Sequence, residues 1–376
     1  MLLLYKLLEL LMILRHCYIV IFCILATQGV VAQRIDDIKK EINQIIKYDT
    51  EIDFKNTPGF IVGIIDGEST HFIPFGQRAK TEEGDITPQD VFEVGSLSKT
   101  ITSSLISALD HNGALSREDL INDLLPDAYR NPRMENLRVI DLLNHQSGFP
   151  KIPKHMGSGQ KSIQDPYNHY SKADLLTYYA HYIPQEKNPK FSYSHTNYAL
   201  LEIIIEEVTG SAFDDLIRKY LFSKLGMDHS FVTFKEKKEI IQGYNRAQRK
   251  VNPWNFPSFA GAEGVKSSAF DLIEYIKGQI GISGTELDQV LPEYLVIEGP
   301  TSYNDKIFIG NGWHILEQGK YPIWTHTGTT SGHSAFLAFI KETKTGVVIL
   351  SNSSFGTKDL GFLILRMINY NWKRKA

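Results

Sequence analysis

The chain has 376 residues, and 42% of them are hydrophobic, 22% charged and 11% aromatic, a composition that excludes a disordered or fibrous protein. Its formal net charge of -3 and the lack of any stripe of lysine and arginine exclude an electrostatic surface for nucleic acid. A chain of this length is able to bury a sizeable core, in one large domain or in two.

The N-terminal segment has the pattern of an export signal. From Met12 a short basic segment precedes an apolar run and a small-residue cleavage site. We therefore predict a signal peptide over residues 1–32 and an exported protein, periplasmic or extracellular. An uncleaved membrane anchor is the alternative, because residues 1–25 are apolar enough to span a bilayer. Both cysteines, Cys17 and Cys23, lie in this segment, which leaves the mature protein without a disulfide or a thiol nucleophile.

Strands are predicted near both ends of the chain, with helices between them. After an amphipathic helix over 35–46, apolar runs bounded by turn residues indicate strands at 60–65, 69–76, 308–316, 323–327, 333–340 and 346–352. The long part between the second and the third run carries apolar residues at three- and four-residue spacing, which is typical of helices. A last amphipathic helix is predicted over 360–372.

This order of elements predicts an α/β fold of the α+β type. We expect an antiparallel sheet built from both termini and flanked by helices, with a mostly helical domain inserted between its two parts. The sheet domain is predicted over 33–95 plus 300–376, and the helical domain over 96–299.

A serine and a lysine one helical turn apart form the strongest chemical signal. Ser96 and Lys99 open a helical run, so their hydroxyl and amine are expected on one face. A partly desolvated lysine is able to activate a serine, and the start of a helix favours negative charge on the serine oxygen. The same spacing recurs at Ser158 and Lys161 in a Gly-rich loop with no helix behind it. The pair alone is therefore a weak signal, and its context decides.

That context resembles the serine β-lactamase and penicillin-binding-protein family, of the class C β-lactamase type. Similar segments follow one another in the family's order at 91–100, 142–150, 191–201, 260–268 and 326–329. The resemblance covers roughly 58–352, and in motif style it is closest to D-alanyl-D-alanine carboxypeptidase and esterase members. It implies a β-lactamase/transpeptidase-like fold.

The resemblance also implies a catalytic set and a substrate-binding set. Ser96 would attack a carbonyl while Lys99 and Tyr193 manage its proton, with Tyr193 acting as a phenolate held by nearby cations. The backbone N–H groups of Ser96 and Thr329 would form the oxyanion hole. The implied substrate-binding residues are His195, His326, Thr327, Gly328 and Thr329.

His195 departs from the family pattern, which has an asparagine that bonds the catalytic lysine and the substrate amide. A neutral imidazole offers one donor and one acceptor and can do part of this work. A protonated ring would repel Lys99. The departure keeps a weakened or inactive site open as an alternative.

Two other segments imitate family motifs. Lys344 begins a literal Lys-Thr-Gly triplet, but it lies between two predicted strands and is expected to form a hairpin turn. Tyr129 begins a Tyr-x-Asn pattern in a proline-flanked loop and lacks the neighbours that the family has. We therefore assign these two roles to His326 and Tyr193. His145 is interpreted as a structural residue that holds a loop.

These patterns favour a serine hydrolase acting through a Ser96 acyl-enzyme on a peptide, amide, β-lactam or ester substrate. The alternative is a non-catalytic or weakly active penicillin- or peptidoglycan-binding protein. The twelve histidines form no metal-hydrolase motif, and neither a Gly-x-Ser-x-Gly elbow nor a phosphate loop occurs. We expect no cofactor and no metal, and a small-molecule or peptide substrate such as one derived from the cell wall.

Overall fold

The computed structural model describes residues 36–55, 57–80, 84–156, 165–186, 189–236 and 239–370. The predicted signal peptide, both cysteines, the Ser158 and Lys161 pair and the end of the last predicted helix lie outside the described residues. The chain divides into two compact units, of which the first ends at Glu51 and the second begins at Ile52. In the first unit, helix α1 spans 36–49, with Ile38, Ile42 and Ile46 on one face.

One eight-stranded antiparallel sheet organises the described part of the second unit, in the order β2-β1-β12-β11-β10-β9-β8-β7. Its strands are β1 Gly59–Asp66, β2 Ser69–Gly76, β7 Gly299–Pro300, β8 Ile307–Gly310, β9 Trp313–Leu316, β10 Ile323–Thr329, β11 Ser334–Ile340 and β12 Thr345–Ser351. The first and last of the long strands are neighbours, with Phe60 opposite Ser351. The prediction of an antiparallel sheet built from both ends of the chain is confirmed.

A pair of short strands brings the segment that carries Ser96 next to a distant part of the chain. Strand β3, Val91–Glu93, pairs with β6, Lys266–Ser268, and β4, Gly243–Tyr244, pairs with β5, Lys250–Val251. The β3–β6 pair fixes the residues just after β3 beside the residues just before β6. Segments 94–99 and 260–265, which are far apart in sequence, therefore meet.

The helices of the second unit lie mostly between β2 and β7. They are α2 Ser98–His111, α3 Ile121–Leu124, α4 Val139–Leu143, α5 Lys172–His181, α6 His195–Thr209, α7 Phe213–Ile217, α8 Ser223–Leu225, α9 Ala269–Ile280 and, after the sheet, α10 Lys358–Tyr370. Helix α2 is buried on every side from Ser98 to Leu109, so it is a core helix and not an amphipathic surface helix. No helix in the described ranges is long and apolar enough to cross a membrane.

Helices cover both faces of the sheet. A side chain on Gly346 of β12 would meet Ile276 of α9, whereas a side chain on Gly361 of α10 would overlap the ring of Phe336 in β11. Gly346 and Phe336 occupy opposite faces in the β11–β12 register, so α9 and α10 pack on opposite sides. All residues of β11 and β12 are buried as a result, which explains their continuous apolar runs.

The predicted strand over 308–316 is wrong, because two strands occupy this stretch. Asn311 and Gly312 have φ of 47° and 79° and join β8 to β9 in a two-residue hairpin. Positive φ at both central positions is the geometry that an Asn-Gly pair adopts most readily. The predicted turn at Lys344 is confirmed, since this residue has φ of 52° between β11 and β12. The predicted division into a sheet domain and a helical domain stays a prediction.

Candidate active site

The serine of the predicted nucleophile motif lies on a tight turn that is pressed against the sheet. Ser96 is in a short 3-10 turn, Gly95–Leu97, directly before α2. Gly95 has φ of 54°, and a Cβ atom there would stand 2.8 Å from the backbone nitrogen of Thr329. A Cβ atom on Gly328 would overlap the carbonyl oxygen of Val94 and lie 2.9 Å from the nitrogen of Ser96. Two glycines therefore let the Ser96 turn and strand β10 touch through their backbones.

Lys99 lies in the first turn of α2 and is fully buried behind Ser96. Its Nζ donates to Ser96 Oγ at 3.2 Å, to the carbonyl oxygen of Ala262 at 2.8 Å and to Glu263 Oε1 at 3.2 Å. Burial lowers the pKa of Lys99 below its ordinary value, and the charge of Glu263 opposes this shift. The predicted one-turn spacing thus brings the amine and the hydroxyl together.

A carboxylate that sequence reasoning missed lies next to both groups. Glu263 is 2% exposed and belongs to a π-helical turn, Ala260–Gly264, just before β6. Its Oε1 accepts a hydrogen bond from Ser96 Oγ and another from Lys99 Nζ. A lone acidic residue among small and apolar neighbours was the available sequence signal, inside a segment already singled out as a motif.

The turn that carries Glu263 is tied to two helices. The nitrogen of Gly261 donates to Glu202 of α6 at 2.9 Å, and the carbonyl oxygen of Gly261 accepts from Thr102 of α2 at 2.8 Å. The nitrogen of Val265 donates to Ser98 Oγ at 3.0 Å. These bonds anchor the turn on both sides of Glu263 and so hold its carboxylate in place.

Tyr193 lines the same pocket as Ser96. Its ring centroid is 5.2 Å from Lys99 Nζ and 4.5 Å from the ring of His145. Burial raises the pKa of Tyr193 above its ordinary value, and the negative charge of Glu263 raises it further. The site therefore favours the neutral phenol, in contrast to the phenolate that the resemblance implies.

His195 is the first residue of α6, and Ser194 caps this helix by accepting from the nitrogen of Asn197. Nδ1 of His195 lies 3.2 Å from Glu263 Oε1 and 3.2 Å from the hydroxyl of Tyr167. Burial lowers the pKa of His195 well below its ordinary value, and Lys99 lowers it further. The hydrogen-bond partner of Nδ1 is thus Tyr167, and Glu263 is a close neighbour of the ring.

His326 is a buried residue of β10 whose Nδ1 lies 2.8 Å from the carbonyl oxygen of Thr327. Because a carbonyl only accepts, the Nδ1 atom carries the proton and Nε2 carries a lone pair. Burial lowers the pKa of His326 well below its ordinary value, with further contributions from His314 and Lys99. His326 is therefore a neutral acceptor towards the site.

Two more histidine rings pack around Tyr193. His314 of β9 stacks on Tyr193 at 5.9 Å, and burial followed by the charge of Lys99 lowers its pKa to about 4. Nδ1 of His145 accepts from the nitrogen of Ser194 at 3.1 Å, and its carbonyl oxygen accepts from Ser192 at 2.8 Å. The predicted structural role of His145 is confirmed by these bonds, which hold the loop that carries Tyr193.

These groups open onto one pocket of about 710 Å³. All predicted site residues except Lys99 line this pocket, namely Ser96, Tyr193, His195, His326, Thr327, Gly328 and Thr329. Glu263, which was not predicted, lines it as well. Lys151 and Lys358 also contribute to its wall. In the described ranges no group of three or more histidine, cysteine or carboxylate residues could hold a metal ion.

The rejected Tyr-x-Asn pattern lies elsewhere. Asn131 is fully buried, and its Nδ2 donates to the carbonyl oxygens of Tyr179 at 2.7 Å and Tyr182 at 2.8 Å. Neither Tyr129 nor Asn131 lines the pocket. This asparagine ties a loop to the end of α5, which is a structural role.

Known proteins match almost the whole chain. The model of the beta-lactamase family matches residues 45–368. A beta-lactamase of Pseudomonas fluorescens is 24% identical over 355 residues, covering 84% of this chain and 94% of that protein. A beta-lactamase/D-alanine carboxypeptidase structure from Pseudomonas syringae has a TM-score of 0.76 at 21% identity, covering 90% of this chain and 99% of that one. A class C beta-lactamase structure has a TM-score of 0.78 at 21% identity, covering 90% and 98%. The predicted β-lactamase/transpeptidase-like fold is confirmed.

Proposed function

Because the chain belongs to the beta-lactamase family, we propose that it is a serine hydrolase that acts through an acyl-enzyme on Ser96. One observation carries the proposal: the hydroxyl of Ser96 faces a pocket while it contacts both the buried Lys99 ammonium and the Glu263 carboxylate. A serine with a purely structural role needs no buried ion pair at its oxygen. A nucleophilic serine needs charged groups at this atom, because its oxygen must lose a proton and carry negative charge in the transition state.

The proposed reaction begins with attack of Ser96 Oγ on a substrate carbonyl. The backbone N–H groups of Ser96 and Thr329 stabilise the oxyanion, and the glycine contacts between their segments support this pairing. The ammonium of Lys99 stabilises the charge on Oγ, since it already donates to that atom. Tyr193, a neutral phenol in the wall of the same pocket, donates a proton to the leaving group.

The histidines of the site bear on the substrate class. His326 presents a lone pair on Nε2, and within the described residues this atom has no hydrogen-bond partner. This lone pair accepts a hydrogen bond from an N–H or O–H group and repels a carboxylate. A carboxylate of the substrate would therefore bind to the hydroxyls of Thr327 and Thr329. The proposed substrates are peptides, amides, β-lactams or esters, with the carboxypeptidase and esterase types ahead of a dedicated β-lactamase.

A covalent probe tests the proposal. The purified protein is treated with a fluorophosphonate and with a fluorescent penicillin, and the labelled peptide is identified by mass spectrometry. We expect an adduct on Ser96 and turnover of at least one substrate among a p-nitrophenyl ester, a D-Ala-D-Ala peptide and a chromogenic cephalosporin. Penicillin binding without any turnover would favour the binding-protein alternative, and no adduct on Ser96 would reject the proposed function.

Export is also part of the proposal. It depends on the predicted signal over 1–32, which lies outside the described residues. Cell fractionation tests it directly: the protein is expected outside the cytoplasm with its first residues removed, and an intact N-terminus in the membrane fraction would indicate the anchor instead.

A further inference from the structure

We propose that Glu263 is the general base of this site: its carboxylate takes the proton of Ser96 as the acyl-enzyme forms. The inference rests on the proposed function, because it assigns a step within the same acyl-enzyme reaction. It follows from the donors and acceptors around Ser96, which leave few choices for where each proton lies.

The hydroxyl of Ser96 has one proton to donate and two lone pairs that accept. Glu263 Oε1 lies within hydrogen-bond distance of Oγ, and an ionised carboxylate is an acceptor only. Lys99 Nζ, at 3.2 Å, is a donor to the same Oγ. The proton of Ser96 therefore points at Glu263, and the atom that accepts a hydrogen bond in the resting site is the atom best placed to accept the proton.

Lys99 is not free to act as the base in this arrangement. Its Nζ has three partners, and two of them, the carbonyl oxygen of Ala262 and Oε1 of Glu263, are acceptors. The third, Ser96 Oγ, has already given its proton towards Glu263 and accepts from Nζ. Three acceptors match the three N–H bonds of an ammonium and leave no lone pair to receive a proton.

The remaining titratable groups near Ser96 are Tyr193 and His195. Tyr193 is partly buried, and desolvation and the charge of Glu263 raise its pKa, so its phenol keeps its proton and serves as a donor. His195 Nδ1 is hydrogen-bonded to Tyr167 and lies 3.2 Å from Glu263 Oε1. Neither contact reaches the hydroxyl of Ser96. Glu263 is the acceptor that remains.

The step balances with no further reactant. As Ser96 Oγ bonds to the substrate carbon, its proton moves to Glu263 Oε1 and the carbonyl electron pair moves to oxygen. Collapse of this intermediate expels the leaving group, which takes a proton from Tyr193, and Glu263 passes the proton that it took from Ser96 to the Tyr193 phenolate through a solvent water. In deacylation a water gives its proton to Glu263 and adds to the acyl carbon, and Ser96 leaves with that proton.

The test is the rate at which a fluorophosphonate labels Ser96, measured in the full protein between pH 5 and 9. We expect Glu263→Gln to lower the second-order rate by at least about a hundredfold, the usual effect of losing a positioned base. The labelling rate of Glu263→Asp should lie between those of the wild type and Glu263→Gln. The matched control is Glu206→Gln, which alters another carboxylate of α6, bonded to Phe213 and Lys172 and not to the turn that carries Glu263, and its labelling rate should stay near that of the wild type.

A second background separates a base from a mere counter-ion of Lys99. If Glu263 only neutralises Lys99, then Glu263→Gln has no effect once Lys99→Met has removed the charge. If Glu263 takes the proton, Glu263→Gln still lowers the rate at least about tenfold in Lys99→Met, which long incubation at high probe concentration keeps measurable. Labelling of Glu263→Gln within about threefold of wild type, or no further loss in Lys99→Met, overturns the inference. Absence of labelling in the wild type rejects the proposed function itself.

Discussion

Gly328 of β10 lies in backbone contact with Val94, so closely that a Cβ atom on the glycine would overlap the Val94 carbonyl oxygen. We predict that Gly328→Ala separates the Ser96 turn from β10 and destabilises the fold, since overpacking of a filled site typically costs about 1–3 kcal/mol. Labelling of Ser96 should fall, because the two oxyanion donors move apart. The matched control is Gly319→Ala, where a Cβ atom meets nothing within 4 Å. Urea unfolding and labelling rates check both variants, and equal behaviour would contradict the close contact.

The nucleophile assignment has a direct test. Ser96→Ala should abolish turnover and covalent labelling while the unfolding midpoint changes little, because one hydroxyl is removed from a pocket-facing position. Ser158→Ala, in the other Ser-x-x-Lys pair, should leave both unchanged. Mass spectrometry of the intact protein after incubation with the probe gives the answer. An adduct that survives in Ser96→Ala and disappears in Ser158→Ala would transfer the role to Ser158.

Lys99 and Tyr193 are both expected to matter for the rate of the reaction. Lys99→Ala and Tyr193→Phe should each lower kcat/KM by at least about a hundredfold, as is usual when a positioned acid, base or charge is lost. Tyr193→Phe keeps the ring that packs on His145 and His314 and removes only the hydroxyl. Thermal unfolding is the control for Tyr193→Phe. Near-normal turnover in either variant removes that residue from the mechanism.

Replacing His195 with the family residue is expected to be tolerated. His195 Nδ1 lies 3.2 Å from Glu263 Oε1, and an asparagine side chain at this place can donate to that carboxylate, so His195→Asn should keep or raise activity and improve acylation by β-lactams. The lowered pKa of His195 means that its ring stays neutral well below pH 6.5. Any loss of activity at low pH that is caused by protonation of His195 therefore occurs below the usual pH range of histidine titration. This part of the pH–activity profile should change in His195→Asn. An inactive but folded variant would reveal a role that the family does not have.

Acid should destabilise this protein through its buried histidines. In the folded state the pKa of His314 is about 4, below the ordinary value of 6.5, because of burial and Lys99. The unfolded chain therefore binds more protons between these values, and the free energy of unfolding falls as pH drops from 6.5 towards 4. Each such ring contributes about 1.4 kcal/mol per pH unit within its window. Urea unfolding at pH 7 and pH 5 should show a smaller loss in His314→Phe than in the wild type.

The sheet could be predicted because its long strands are apolar and bounded by turn residues. The hairpin at Asn311 and Gly312 was missed because the apolar residues on its two sides were assigned to one strand, although an Asn-Gly pair is a strong hairpin signal. The pattern over 323–327 predicted a strand, and the turn at Lys344 followed from its place between two apolar runs. Hydrophobic periodicity thus located the layers, and local turn chemistry was needed for the edges.

The site was predictable only where chemistry follows sequence spacing. Ser96 and Lys99 are one helical turn apart, so their contact follows from the helix alone. Glu263 comes within reach of Ser96 through the β3–β6 pairing and a π-helical turn. No local sequence pattern predicts the pairing or the turn. The neutral state of the histidines likewise depends on burial, which a motif does not reveal.

The pairing of β1 with β12 has a consequence for how the protein is made. The nitrogen of Gly59 donates to Asn352 Oδ1 at 2.9 Å across 293 positions of the chain. Contacts between such distant segments require a large loop to close and make folding slow. One edge of β1 pairs with β2, but its other edge has no partner until β12 has been synthesised, so a nascent chain that stops earlier exposes the unpaired edge of an apolar hairpin. Truncation before residue 345 should therefore yield an aggregating product rather than a smaller stable domain.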